Sequence, residues 1–131
     1  MLFHVFHSQS DRRSFGGSDF IEIQYCQLPP GSTIDEIVSC DSIVHWKGDS
    51  LYISGDDMDV FFQHYGNILT DGIYNNQSCG PMDLYGINFY SREQAVSIQE
   101  KLKTETPLNY QVFYEWLQGI DQYIGFYVLG L

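Results

Sequence analysis

The sequence predicts a single α+β domain over residues 1–131, with a mostly antiparallel sheet of about five or six strands and about three or four helices, concentrated in the C-terminal half. Apolar and polar residues alternate in Phe20–Tyr25, as in a strand. Apolar residues also recur at the spacing of an amphipathic helix, namely at Met58, Phe61, Phe62 and Tyr65. A chain of 131 residues that is 44% hydrophobic can bury one core without metal or disulfides.

Strands are predicted to dominate the first part of the chain. Leu2–His7 has the β-branched and aromatic composition of a strand, and the polar segment Ser8–Asp19 follows it as a loop. In Phe20–Tyr25 the isoleucines lie on one face, while Glu22 and Gln24 lie on the other. This pattern is typical of a strand that is buried on one face only.

A short helix and a hairpin are predicted next. Thr33 precedes Glu36 at the spacing of a capping box, which indicates a helix within Ile34–Cys40. Two β-rich runs, Ile43–Trp46 and Leu51–Ile53, flank a short polar turn. That arrangement predicts a β-hairpin.

The middle of the chain is predicted to hold one helix and one long loop. Ser54 precedes Asp57 at cap spacing, and the amphipathic helix then ends near Gly66. Asn67–Met82 is rich in turn-forming residues and is predicted to be a loop, and Leu84–Tyr90 returns to a strand.

The last third is predicted to hold two helices and a final strand. Ser91 and Gln94 have capping-box spacing and open a helix that ends at about Thr104. Thr106 and Pro107 are expected to cap and begin a second helix. Its apolar residues are Phe113, Trp116, Leu117 and Ile120, and the predicted final strand is Tyr123–Leu129.

The charge of the protein is strongly negative and unevenly distributed. The net charge is −11, and residues 14–90 hold eleven acidic residues but only one basic residue. Contacts to phosphate require clustered lysine and arginine, so this balance argues against direct binding to nucleic acid or to an anionic membrane.

Within that segment, four acidic residues crowd a short stretch that also contains three aromatic residues. The acidic residues are Asp49, Asp56, Asp57 and Asp59, and the aromatic residues are Trp46, Tyr52 and Tyr65. Unpaired carboxylates repel one another, and a cationic protein partner offsets that repulsion and associates faster. Exposed aromatic rings would anchor such an interface. The alternative interpretation is that the acids serve solubility and helix capping.

No motif indicates catalysis, a cofactor or a metal. The chain lacks the glycine-rich, nucleophile-elbow and zinc-binding motifs of common enzyme families. His4 and His7 would face opposite sides of a strand, and the acids at residues 56–59 lack the pattern of a calcium loop. We therefore expect a protein that is not an enzyme.

The cysteines and the N-terminal residues indicate a cytoplasmic protein. Cys26, Cys40 and Cys79 are widely spaced and form no metal-binding or redox pair. The apolar run at residues 1–7 is short and is broken by histidines, and no stretch approaches about 18 apolar residues, so we expect neither a secretory signal nor a membrane-spanning segment.

The C-terminal third resembles a known group of proteins. Leu84–Ser91, Glu115–Leu117 and Gly125–Leu131 resemble the small immunity proteins that bacteria encode beside secreted toxins, especially those of contact-dependent growth inhibition systems. The resemblance implies a non-enzymatic cytoplasmic protein that binds the C-terminal domain of its cognate toxin, often a nuclease. Acidic side chains would then stand in for phosphates in a basic cleft.

The leading hypothesis is therefore an immunity protein that neutralises a cognate toxin domain, without a cofactor. Its predicted partner-binding residues are Asp49, Asp56, Asp57, Asp59, Trp46, Tyr52 and Tyr65. One alternative is a small enzyme whose acid–base residues come from distant parts of the chain. Another is a metal- or ligand-binding module in the loop Asn67–Met82.

Overall fold

The computed structural model describes residues 1–17 and 19–131, and within these ranges the strands form one six-stranded antiparallel sheet. The strands are β1 (Phe20–Tyr25), β2 (Leu51–Ser54), β3 (Gly72–Ile73), β4 (Cys79–Gly80), β5 (Ile87–Ser91) and β6 (Gly125–Leu129). Their order across the sheet is β2-β1-β6-β5-β3-β4, and every neighbouring pair is antiparallel. The predicted α+β class is confirmed.

The described residues form five α-helices, slightly more than predicted. They are α1 (Gln9–Phe15), α2 (Ile34–Ile37), α3 (Met58–Tyr65), α4 (Arg92–Glu105) and α5 (Tyr110–Leu117). Helix α1 lies within the segment that was predicted to be a polar loop. The Ser8 hydroxyl stabilises the start of this helix by accepting a hydrogen bond from the Asp11 N–H at 3.1 Å. Ser18, at the end of that predicted loop, lies outside the described residues.

One face of the sheet, which we call the helical face, is covered by α3, α4 and α5. Its buried strand residues are Ile21, Ile23, Ile53, Phe126 and Val128. The helices contribute buried residues at helical spacing, namely Phe61, Tyr65, Ala95, Ile98, Leu102, Phe113 and Leu117. These residues form one continuous apolar core.

The opposite face, which we call the loop face, carries Phe20, Glu22, Gln24, Tyr52 and Tyr127. It is covered by irregular backbone, by α2 and by the N-terminal residues. The expectation that β1 is buried on one face only is wrong: Glu22 is 3% exposed and Gln24 is 2% exposed. The polar residues of β1 are therefore buried beneath the segments that cover the loop face.

The predicted hairpin is also wrong. Strand β2 pairs with β1, with Ile53 opposite Ile21, and residues 43–46 form no strand. The backbone N–H groups of Trp46 and Lys47 instead donate to the side chain of Glu22. These two N–H groups therefore bind the buried carboxylate of Glu22 and do not form backbone hydrogen bonds with β2.

Three further corrections concern short elements. Leu2–His7 is not a regular strand but makes one β-bridge, between His4 and Tyr52, with N···O distances of 2.8 Å. The predicted loop Asn67–Met82 contains the two-residue strands β3 and β4. Thr106 ends α4 in a left-handed conformation, and α5 begins only after Asn109, so the predicted cap and first turn of that helix are wrong.

Candidate interaction surface

The carboxylate of Glu22 organises the segment that carries Trp46. Its Oε1 accepts a hydrogen bond from the Trp46 N–H at 3.0 Å, and its Oε2 accepts one from the Lys47 N–H at 3.2 Å. Oε2 also accepts from the Ser50 hydroxyl at 2.7 Å and from the Gln24 amide at 3.0 Å. The Tyr52 hydroxyl lies 3.3 Å from Oε2 as well, so five polar groups converge on one buried side chain, two of them on consecutive backbone positions.

The backbone at Trp46 has an unfavourable conformation that these bonds hold in place. Its φ of 67° lies in the left-handed region, which costs a non-glycine residue roughly 1–2 kcal/mol. Two consecutive N–H groups that converge on one anion form a small concave cradle. Such a conformation persists only where the surroundings determine it, and here Glu22 provides that constraint.

The indole ring of Trp46 lies between two side chains. One face stacks on Tyr52, with ring centroids 5.6 Å apart and planes 12° apart. The Arg12 guanidinium carbon lies 4.0 Å from the indole centroid. The ring thus packs against two side chains, and Trp46 remains 37% exposed. A partly exposed tryptophan is typical of an anchor residue in a protein interface.

Trp46 belongs to a larger group of rings on the loop face, which we call the aromatic cluster. The cluster consists of His4, Phe6, Phe15, Phe20, Trp46 and Tyr52. Phe15 is 47% exposed, so the cluster reaches the surface at two rings. Burial lowers the pKa of His4, the N-terminal ammonium lowers it further, and Asp57 opposes both effects.

Acidic side chains adjoin the aromatic cluster. Asp19 and Trp46 line one cavity of about 180 Å³. Asp19 also lines a neighbouring cavity of about 320 Å³, together with Asp56. The exposed residue Leu131 lines both cavities. The two cavities share Asp19 and Leu131 in their linings, and we call the pair of cavities the groove: Trp46 lines one of them and Asp56 lines the other.

The structure brings together only some of the predicted partner-binding residues. Asp56 and Asp57 lie in a 3₁₀ turn directly after β2, and Asp59 lies in the first turn of α3. Asp49 precedes β2 and so lies at its opposite end, where its backbone carbonyl accepts a hydrogen bond from the Trp116 indole N–H at 2.7 Å. Asp49 is thus separated from the other three acids by the length of a strand.

The expectation that Tyr52 and Tyr65 are exposed is wrong. Tyr52 is 1% exposed and supports Trp46 from beneath, and its hydroxyl donates to the Lys47 carbonyl at 2.6 Å. Tyr65 is fully buried in the helical-face core, and its hydroxyl donates to the Leu108 carbonyl at 2.6 Å. Burial raises the pKa of both tyrosines.

Sequence reasoning missed Arg12, Phe15, Asp19 and Glu22 as parts of this surface. Arg12 and Phe15 lie in α1, which was expected to be loop, and Glu22 was expected to face solvent. The capping signal at Ser8 was present in the sequence and predicts a helix start. No sequence signal indicated that Glu22 binds backbone groups more than twenty residues away.

The remaining chemistry of the described residues is limited. Among residues 1–17 and 19–131, no three His, Cys, Asp or Glu side chains are grouped so that they could hold a metal ion. Cys26 is buried with its sulfur 3.4 Å from the Tyr127 hydroxyl, whereas Cys40 and Cys79 are exposed, and all three thiols are free. No helix in the described part of the chain is long and apolar enough to cross a membrane.

Comparisons of the chain with protein-family profiles, with curated proteins and with solved structures gave no match.

Proposed function

We propose that this protein is an immunity protein that neutralises a basic toxin domain by binding it, rather than by catalysis. The observation that supports this proposal best is a partly exposed tryptophan, packed against Tyr52 and Arg12, beside a groove that contains carboxylates. The contacts are assigned to Trp46 and to Asp56, Asp57 and Asp59, and Asp19 is added because it lines the groove. Tyr52 takes a supporting role under the indole ring.

The two kinds of residue have different roles in this proposal. The acids accelerate the encounter with a cationic cleft, because complementary charges steer association. Trp46 lengthens the life of the complex, because buried aromatic anchors contribute most of the affinity of an interface. A nuclease cleft is cationic because it holds phosphate, so an acidic protein that fills it blocks the substrate.

Co-expression tests the proposed function directly. The protein is produced together with the toxin domain encoded beside its own gene, and cell survival and complex formation by gel filtration are measured. We expect survival and a complex that persists on the column. Cell death without a complex would overturn the proposal.

A charge-neutralised variant tests the surface. The variant Asp56→Asn/Asp57→Asn/Asp59→Asn removes three exposed or half-buried carboxylates, of which Asp56 lines the groove and the other two follow it in the chain. We expect its association rate with that toxin domain to fall about tenfold at low salt and to depend less on ionic strength. An unchanged rate and salt dependence would show that this surface is not the interface.

A matched control removes the same charge elsewhere. The variant Glu93→Gln/Glu100→Gln/Glu105→Gln neutralises three exposed residues on α4, none of which lines the groove. We expect this control to associate at nearly the wild-type rate. A comparable loss in both variants would mean that only the net charge matters.

A further inference from the structure

Helix α1 is held against the protein by very few contacts. None of its seven residues is buried, and Gly16 and Gly17, both with positive φ, follow it. Its ring contacts come from Phe15, whose ring centroid lies 4.4 Å from that of His4. A helix this short is not stable alone, so its position depends on Phe15 and on Arg12.

Arg12 attaches α1 to the ring of Trp46. Its guanidinium lies over the indole, and its Nε is shielded from solvent without a hydrogen-bond partner among the described residues. A shielded donor without a partner is unfavourable, whereas the contact with the ring is favourable. The guanidinium therefore rests on the indole without a hydrogen bond at Nε to fix it there.

We infer that the Trp46 indole, at the position where Arg12 lies over it, is a binding site for an arginine guanidinium, which Arg12 occupies in the free protein and an arginine of the protein partner takes over. The Arg12 guanidinium carbon lies 4.0 Å from the ring centroid, so a second guanidinium reaches the same position only after Arg12 has left it. Naming the partner rests on the proposed function, but the site itself does not.

The chemistry of the site favours arginine over lysine. A planar guanidinium stacks on an aromatic face and is weakly hydrated, whereas an ammonium is compact and strongly hydrated. The acidic groove next to the indole attracts a basic segment, and the protein carries 17 acidic against 6 basic residues. Charge brings the partner to the surface, and the ring selects its arginine.

Titration with short peptides tests this inference. The two tryptophans give two indole N–H signals in a ¹⁵N–¹H spectrum, and a Trp46→Phe variant assigns them. We expect hexa-arginine to shift the Trp46 signal and to bind more tightly than hexa-lysine. We expect Arg12→Gln to bind hexa-arginine about threefold more tightly than the wild type, because the competing cation is gone.

Arg13→Gln is the matched control, since it removes the same charge from the same helix. Arg13 is exposed, and its side chain donates a hydrogen bond to Gln9 at 3.3 Å rather than contacting the indole, so its loss leaves the indole covered. Equal hexa-arginine affinities of the Arg12→Gln and Arg13→Gln variants would overturn the inference. Neither variant removes a core contact, because no residue of α1 is buried, and any release of α1 by Arg12→Gln is part of uncovering the indole.

The inference and the proposed function fail separately. If hexa-arginine binds as expected but co-expression gives no protection, the guanidinium site stands and the immunity function falls. If co-expression protects but the peptide does not shift the Trp46 signal, the immunity function stands and the guanidinium site falls.

Discussion

The two faces of the sheet are built by different means. On the helical face, three helices contribute apolar side chains at helical spacing to a continuous core. On the loop face, irregular backbone covers the same strands, and the buried layer includes Glu22 and Gln24. Regular helices satisfy their own backbone groups, whereas irregular backbone needs side-chain partners. The polar residues of β1 supply those partners.

We expect this difference to separate stability from the proposed recognition of a partner. Close apolar packing makes the helical face the main source of stability. The loop face holds an unfavourable backbone conformation at Trp46 and presents an exposed ring beside a groove. Strained residues of this kind are concentrated at functional surfaces.

The largest expected effect is on the helical face. Phe126 is fully buried among Tyr90, Phe113 and Trp116. We expect Phe126→Ala to lower the free energy of unfolding by about 3–5 kcal/mol, because it leaves a cavity. Urea unfolding measures the loss. Phe62→Ala, at a position that is 44% exposed, is the control and should change stability by less than about 0.5 kcal/mol.

The next effect is on the loop face. Glu22→Gln keeps the side-chain shape but turns an amide N–H₂ toward donors, so we expect a loss of about 2–4 kcal/mol in urea unfolding. The near-ultraviolet circular dichroism should also change, because the loop that carries Trp46 loses its constraint. Glu100→Gln, at an exposed position, is the control. Unchanged stability and an unchanged spectrum would contradict the role of Glu22.

Replacing a helix-capping residue on each face is expected to have a smaller effect on stability than the substitutions above. Ser91 caps the 14-residue α4 on the helical face, and Thr33 caps the four-residue α2 on the loop face, both through capping boxes. We expect Ser91→Ala to cost about 1 kcal/mol and Thr33→Ala about 0.5 kcal/mol. Thermal unfolding measures both, and a larger loss for Thr33→Ala would reverse the comparison.

The last prediction concerns the ionisation of Tyr25, which does not change stability near neutral pH and acts only at alkaline pH. The Tyr25 ring is stacked on the rings of Trp116 and Tyr123, with centroid distances of 3.9 Å and 4.5 Å. Burial raises the pKa of Tyr25 to about 12, and the charge of Asp49 adds to the shift. The unfolded chain releases this proton near pH 10, so its contribution to stability is complete below about pH 10 and is lost as the pH rises to about 12.

We therefore expect the unfolding free energy of the wild type to fall across that alkaline window more steeply than that of Tyr25→Phe. Urea unfolding at several alkaline pH values measures both slopes. Tyr85→Phe, at a position that is 70% exposed, serves as the control and should retain the wild-type slope. Parallel slopes for Tyr25→Phe and the wild type would contradict the prediction.

Local signals predicted the fold well where one element contains all the information. The strand at Phe20–Tyr25, the helix at Met58–Tyr65 and both capping boxes lie where the sequence places them. The candidate surface was predicted less well. Trp46 and the acids after β2 are exposed or half-buried, but Tyr52 and Tyr65 are not, because burial depends on what packs over a residue.

The sequence by itself determined the α+β class, the helical-face periodicity and the concentration of negative charge in residues 14–90. Those features depend on spacing and composition within short segments. Only the tertiary structure decided that β2 pairs with β1, that Glu22 binds the backbone at Trp46 and that Arg12 covers the indole. These contacts join residues more than twenty positions apart, and local propensities carry no information about such pairings.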